Sequence, residues 1–219
     1  MLVEPTKAPT MDWVKIAVLA SGSGTILESI IEWGIDVSLV VVDRPCKGET
    51  LADRHEISLS RCYRGDFSSS FNRMDYTKKV ADELQMSGIE LIAMAGFGTV
   101  LAQPIHDIYG GRILNTHPSL LPAFAGWHAV SEALNYGVRV TGCTIHLATL
   151  DVDSGPILAQ QAVPVEFGDT EATLHERIKT VERLLYPKTI QEYNAFLDAD
   201  TEADFFSFQQ EYALRTKNL

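Results

Sequence analysis

Lys15-Ile16-Ala17-Val18-Leu19-Ala20-Ser21-Gly22-Ser23-Gly24-Thr25-Ile26-Leu27 decides the architecture. Its apolar run, Lys15 to Ala20, has the length of a strand. Glycine and hydroxyl residues follow, and then Ile26-Leu27-x-x-Ile30-Ile31 adopts helical spacing. A strand that runs through a glycine turn into a helix opens a βα unit. The pattern continues outward from there. Val37 to Val42 reads as a second strand, Glu49 to Glu56 as a helix and Ile57 to Tyr63 as a short third strand. Phe71 to Met86 carries Met74, Val80, Ala81 and Leu84 on a polar amphipathic helix, and Ile89 to Ala95 is another buried strand. This alternation implies a parallel sheet with right-handed crossovers. Beyond Arg112 the pattern changes. Trp127 to Asn135 reads as a helix, and Val140 to Ala148 and Pro156 to Val165 as two strands joined by an acidic turn, hence antiparallel. Thr170 to Phe196 is a long helix with Leu174, Ile178, Val181 and Leu185 at core spacing. The expected fold class is α/β: an open sheet with a parallel N-terminal half and an antiparallel C-terminal extension.

The chemistry concentrates in Asn115-Thr116-His117-Pro118-Ser119-Leu120-Leu121-Pro122, after the apolar segment Arg112 to Leu114. Alternating residues of an extended chain share a side, so Asn115 and His117 aim at one point. Pro118 stops the strand and Pro122 stops the next turn. An amide donor beside an imidazole can hold an oxyanion and move a proton at one carbon atom. About thirty residues on, Asp151-Val152-Asp153-Ser154-Gly155-Pro156 forms an acidic turn able to return a carboxylate to that imidazole. Taken singly, these residues read equally well as a cap, a surface histidine and a turn. Together they fall in loops beside apolar strands, where α/β proteins place their sites.

Composition narrows the classes. The chain has 219 residues, 46% of them hydrophobic, enough for one substantial core. Its net charge is −11, with a pI of about 4.9. Such a balance does not suit nonspecific binding to nucleic acid or to anionic membranes. A phosphate on a substrate must then be held by local geometry. Cys46, Cys62 and Cys143 show neither metal spacing nor a disulfide framework, which fits a cytoplasmic protein. No apolar run is long enough to span a bilayer. Residues 1–13 read as a loose arm without a signal-peptide core.

The motif strings resemble those of the folate-dependent formyltransferases. The resemblance runs from about Lys15 to Tyr193. It includes Ser21-Gly22-Ser23-Gly24-Thr25, Ala95-Gly96-Phe97, Asn115-x-His117-Pro118-Ser119-Leu120-Leu121-Pro122, Gly142-Cys143-Thr144-Ile145-His146, Asp153-Ser154-Gly155-Pro156-Ile157-Leu158-Ala159-Gln160, and Glu182 with Tyr186-Pro187. It implies a Rossmann-like formyltransferase fold in residues 14–198, with a phosphate-binding half (14–110) and a catalytic and folate-binding half (111–198). Residues 199–219 are then a C-terminal tail with a pattern compatible with one more helix. It further implies transfer of a formyl group from 10-formyltetrahydrofolate to the amine of glycinamide ribonucleotide, in purine biosynthesis. No metal, nucleic acid or membrane takes part, and there is room for a homodimer.

Site residues follow from the same resemblance. Asn115 and protonated His117 donate to the formyl oxygen as charge develops there. Asp153 keeps His117 charged and offers a route, through water, for the proton leaving the amine. Gly22, Gly24, Thr25 and Ile26 form the cradle for the ribosyl phosphate, where the N–H groups of a helix start attract an anion. The loop is not a Walker motif, since no Gly-Lys-Ser/Thr follows, and it lacks the third glycine of a dinucleotide fingerprint. Glu182 grips the glycinamide amine. Arg73, Gly98, Thr99, Val100, Leu101 and Asn115 line the folate site. Two positions depart from the family pattern. Ile26 stands where relatives often have asparagine, and Gly98-Thr99-Val100-Leu101 where many carry Met-Arg-Ile-Leu. Backbone recognition tolerates both exchanges; side-chain contacts do not. His146, alternating with Ile145 and Leu147, reads as a hydrogen-bonded structural histidine. His128 reads as a helix cap, and His55, His106 and His175 receive no role.

Three alternatives share these motifs. A formyltetrahydrofolate hydrolase would use water as acceptor and carry an extra N-terminal domain. A formyltransferase with another acceptor, such as the methionyl-tRNA enzymes, would add a C-terminal domain and a basic surface. A non-catalytic folate- or nucleotide-binding homologue would have little use for an intact Asn115, His117 and Asp153.

Overall fold

The computed structural model describes residues 14–66, 68 and 70–198. The expected arm 1–13 and tail 199–219 lie outside the described residues. Thirteen elements follow one another: β1 (Ile16–Ala20), α1 (Thr25–Glu32), β2 (Val37–Val42), α2 (Lys47–Arg54), β3 (Ser58–Arg61), α3 (Arg73–Met86), β4 (Leu91–Ala95), α4 (Gln103–Tyr109), β5 (Ile113–His117), α5 (Ala129–Tyr136), β6 (Val140–Leu147), β7 (Ile157–Pro164) and α6 (Glu171–Asp198).

The strands form one sheet in the order β3-β2-β1-β4-β5-β6-β7. Pairing is parallel from β3 to β5 and antiparallel from β5 to β7. The direction of winding reverses between β1 and β4, which opens a crevice at their C-terminal ends. Period-two alternation sorts the strand residues onto two faces. Ile16 and Val18 join Leu27, Ile30, Ile178 and Tyr186 in a core under α1 and α6. Ala17 and Leu19 join Val80, Leu84, Ile105 and Tyr109 in a second core under α3 and α4. No helix among the described residues is long and apolar enough to cross a membrane.

Two elements differ from the sequence reading. Helix α4 lies in a stretch without an assigned element. Its signal is Pro104 in the first turn and the buried pair Ile105 and Tyr109, four apart. Strand β5 runs on through Asn115 to His117, because Asn115 pairs with His146 and His117 with Thr144 on β6. Pro118 then ends it.

Candidate active site

A cleft of about 380 Å³ opens at the C-terminal ends of β1, β4 and β5. One wall is the turn from β1 into α1, Gly22 to Ile26. Gly24 occupies the N-cap position with φ of 73°, a left-handed conformation that glycine adopts at little cost. The first turn of α1 has no side-chain cap, so its N–H groups remain available at the cleft. Ile26 serves two ends. It is 7% exposed and packs into the core under α1, while its residue borders the cleft.

Helix α6 brings His175, Lys179 and Glu182 to the same wall. Their spacing of four and three places them on one helical face. Glu182 accepts a hydrogen bond from the Thr116 hydroxyl at 2.6 Å. Burial pushes its carboxyl above the ordinary range; the Thr116 hydroxyl and the charges of Lys179 and Arg183 only partly offset this. Lys179 brings a cationic side chain to the cleft lining.

The opposite wall is the loop after β4. Gly96, Phe97, Thr99, Val100 and Leu101 line it, together with His106 of α4. Gly98 does not border the cleft, but its N–H donates to Ser21 Oγ at 2.6 Å. Arg73 is exposed at the start of α3 and is not among the cleft-lining residues.

Asn115, His117 and Asp153 meet between these walls. Asp153 Oδ2 lies 3.3 Å from His117 Nδ1 and accepts the Gly126 N–H at 2.8 Å. On its other side His117 Nε2 is 2.8 Å from the Phe124 carbonyl. A carbonyl can only accept, and the Asp153 carboxylate is itself ionised. As imidazolium the ring could donate on both sides, to the Phe124 carbonyl and toward the Asp153 carboxylate. Both partners sit on strained backbone, with φ of 55° at Phe124 and 54° at Asp153. Such conformations cost about 1 kcal/mol or more in a non-glycine residue and gather at functional sites. Burial alone would raise the Asp153 pKa. The His146 ring, the Gly126 N–H and the His117 charge outweigh it and hold the carboxyl below its ordinary value.

His146 belongs to this cluster. Its Nε2 is 3.1 Å from Asn115 Nδ2 and 3.6 Å from Asp153 Oδ1, and its Nδ1 bonds its neighbour's carbonyl, Leu147 O, at 3.0 Å. The strand alternation that suggested a structural histidine is correct; its antiparallel pairing with Asn115 sets it beside the amide. His128 stands at the N-cap of α5 without making a side-chain cap.

The remaining motif residues hold this arrangement. Thr144 Oγ1 donates to Ser119 O at 2.7 Å and accepts from Leu121 N–H at 3.1 Å and Gln160 Nε2 at 2.9 Å. Ser119 Oγ closes the proline-flanked loop on Ala123 O at 2.6 Å. Gly155 lets the acidic turn pack on β6, since a Cβ there would lie 1.8 Å from Leu147 O.

The arrangement defines a class. Residues 14–190 match the formyl transferase family, and the chain belongs to that family. Within it, the chain is 41% identical over 187 residues to phosphoribosylglycinamide formyltransferase of Mycobacterium tuberculosis, covering 83% of this chain and 86% of that protein. It is 35% identical over 184 residues to the enzyme of the same name from Bacillus subtilis, covering 81% and 93%. Its fold resembles the crystal structure of glycinamide ribonucleotide transformylase 1 from Symbiobacterium toebii, with a TM-score of 0.77, 37% identity, and 84% and 88% of the two chains covered.

Proposed function

We infer that the chain transfers the formyl group of 10-formyltetrahydrofolate to the amine of glycinamide ribonucleotide in purine biosynthesis. One observation carries this reading. A single cleft joins an anion-accepting turn with a carboxylate, on the α1 and α6 side, to a largely apolar wall on the α4 side, and Asn115 and His117 stand at the join. The relatives named above support the same acceptor.

The first seat takes the ribonucleotide. The N–H groups of Gly24 to Ile26 and the ammonium of Lys179 suit its phosphate, and Glu182 suits its amine. Gly96 to Leu101 supply the wall for the folate. Thr99 and Val100 occupy the departures noted above, so backbone groups carry that recognition.

Asn115 and imidazolium His117 stabilise negative charge on the formyl oxygen as the amine nitrogen bonds to the formyl carbon. Donors aimed at developing charge are worth about 3–4 kcal/mol each. The His117 to Asp153 contact of 3.3 Å is long for a charge-assisted bond, so the Nδ1 proton can be shared with an incoming oxygen. Asp153 keeps the imidazolium charged and accepts, through water, the proton that the amine releases. That proton passes to the folate nitrogen as its bond to the formyl carbon breaks. Formyl transfer measured with and without the ribonucleotide tests the assignment. Consumption of the formyl donor that depends on the ribonucleotide is expected; equal consumption without it would make the protein a hydrolase. Three free cysteines, two of them buried, support a cytoplasmic setting.

A further inference from the structure

Asp43 directly follows β2, and its side chain reaches Ser21 after β1 and Thr99 after β4. It is fully buried, unusual for a carboxylate. Three side chains converge on it. Arg44 donates through Nε at 2.9 Å and through Nη2 at 3.1 Å. Thr99 Oγ1 donates at 2.7 Å. The Ser21 hydroxyl faces the same carboxylate, and with Arg44 and Thr99 it outweighs the burial that would otherwise raise the Asp43 pKa. Ser21 Oγ also accepts the Gly98 N–H. The guanidinium of Arg44 covers Gly98 so closely that a Cβ there would stand 2.6 Å from Nη2.

These bonds join three chain segments. Ser21 precedes the glycine turn at the end of β1. Gly98 and Thr99 begin the wall that follows β4. Asp43 itself follows β2, which lies across β1 from that wall. On the far side of the wall, Thr77 Oγ1 accepts the Ala102 N–H at 2.9 Å, so the wall is tied at both ends. Thr99 is 1% exposed while its residue borders the cleft; its hydroxyl is spent inward, on Asp43.

We propose that Asp43 is a positioning residue that sets both substrate seats, holding the folate wall through Thr99 and the phosphate turn through Ser21. The proposal rests on the seats assigned above. Wall recognition depends on backbone groups, so its affinity follows where those groups stand. A buried carboxylate with several donors fixes them more tightly than a lone hydroxyl pair, since leaving any one donor unpaired is costly.

The test separates the two arms of the network. Thr99→Val keeps the shape of the side chain and removes the bond to Asp43. It should raise the KM for 10-formyltetrahydrofolate about tenfold and leave the KM for the ribonucleotide within about twofold of the parent. Thr99→Ser retains the hydroxyl and should return the folate KM to the parent range. Asp43→Asn should raise both KM values together. A Thr99→Val enzyme that loses melting temperature but keeps both KM values makes the network purely structural and overturns the proposal, even where Asp43→Asn fails to fold. A parent without ribonucleotide-dependent transfer overturns the reaction assignment and the proposal with it. An active parent with parental KM values in Thr99→Val overturns the proposal alone.

Discussion

Asp153 Oδ2 faces His117 Nδ1 at 3.3 Å from a left-handed backbone that the Gly126 N–H helps to hold. Because charge, not shape, is the contribution of Asp153, Asp153→Asn should lower turnover about 10²-fold or more while substrate KM values change little. Linkage gives a second readout. The folded pKa of Asp153 is lowered, so its ionised form stabilises the native state above the ordinary carboxylate value of about 3.9. That contribution is lost as the pH falls from there through the lower folded value. The melting temperature of the parent should exceed that of Asp153→Asn at pH 5 to 7, and the gap should close in acid. A gap that widens in acid would contradict this assignment of charge.

Glu182 shows the opposite sign. Burial raises its pKa, so the carboxylate is the costly form in the folded protein, and stability falls as the pH rises through that raised value. Glu182→Gln removes the titration and keeps a partner for the Thr116 hydroxyl. Its melting temperature relative to the parent should improve as the pH rises above the ordinary carboxylate value. Its ribonucleotide KM should rise about tenfold or more, the scale of one hydrogen bond to a charged group, about 1.5–3 kcal/mol. A parental KM in this variant would remove Glu182 from the site.

Two glycines of the turn from β1 into α1 should separate packing from binding. A Cβ on Gly22 meets nothing within 4 Å, whereas one on Gly24 comes 2.8 Å from Leu51 Cδ1 on a backbone with φ of 73°. Gly22→Ala should keep the parental melting temperature and raise the ribonucleotide KM several-fold by standing where the anion approaches. Gly24→Ala should also destabilise the fold by about 1–2 kcal/mol. Thermal melts paired with KM values for both substrates decide between them, and an unchanged ribonucleotide KM in Gly22→Ala would refute the cradle.

Much of this site was legible along the chain. Asn115 and His117 lie two apart on one strand, and proline, glycine and acidic residues mark the loops around them. The parallel half followed from short apolar runs alternating with helices. His146 was legible as a hydrogen-bonded histidine, but its nearness to the site depends on register: the β5 to β6 pairing sets it beside Asn115. Lys179 and His175 share a helical face with Glu182, a spacing present in the sequence but informative only once α6 is known to border the cleft. Helix α4 has only seven residues, too few for periodicity to stand out. The Asp43 network joins residues 21, 43 and 99, and nothing local announces it. Arg73 illustrates the converse, since a match in the motif did not bring its side chain to the cleft wall.

The account turns on formyl transfer taking place beside His117, where the two seats meet. Single-turnover transfer by His117→Ala, with both substrates saturating, tests this most directly. The rate should fall about 10²-fold or more, with both dissociation constants and the melting temperature near those of the parent. A single-turnover rate within about threefold of the parent would contradict it and return His117 to the role of a loop anchor for Phe124 and Asp153.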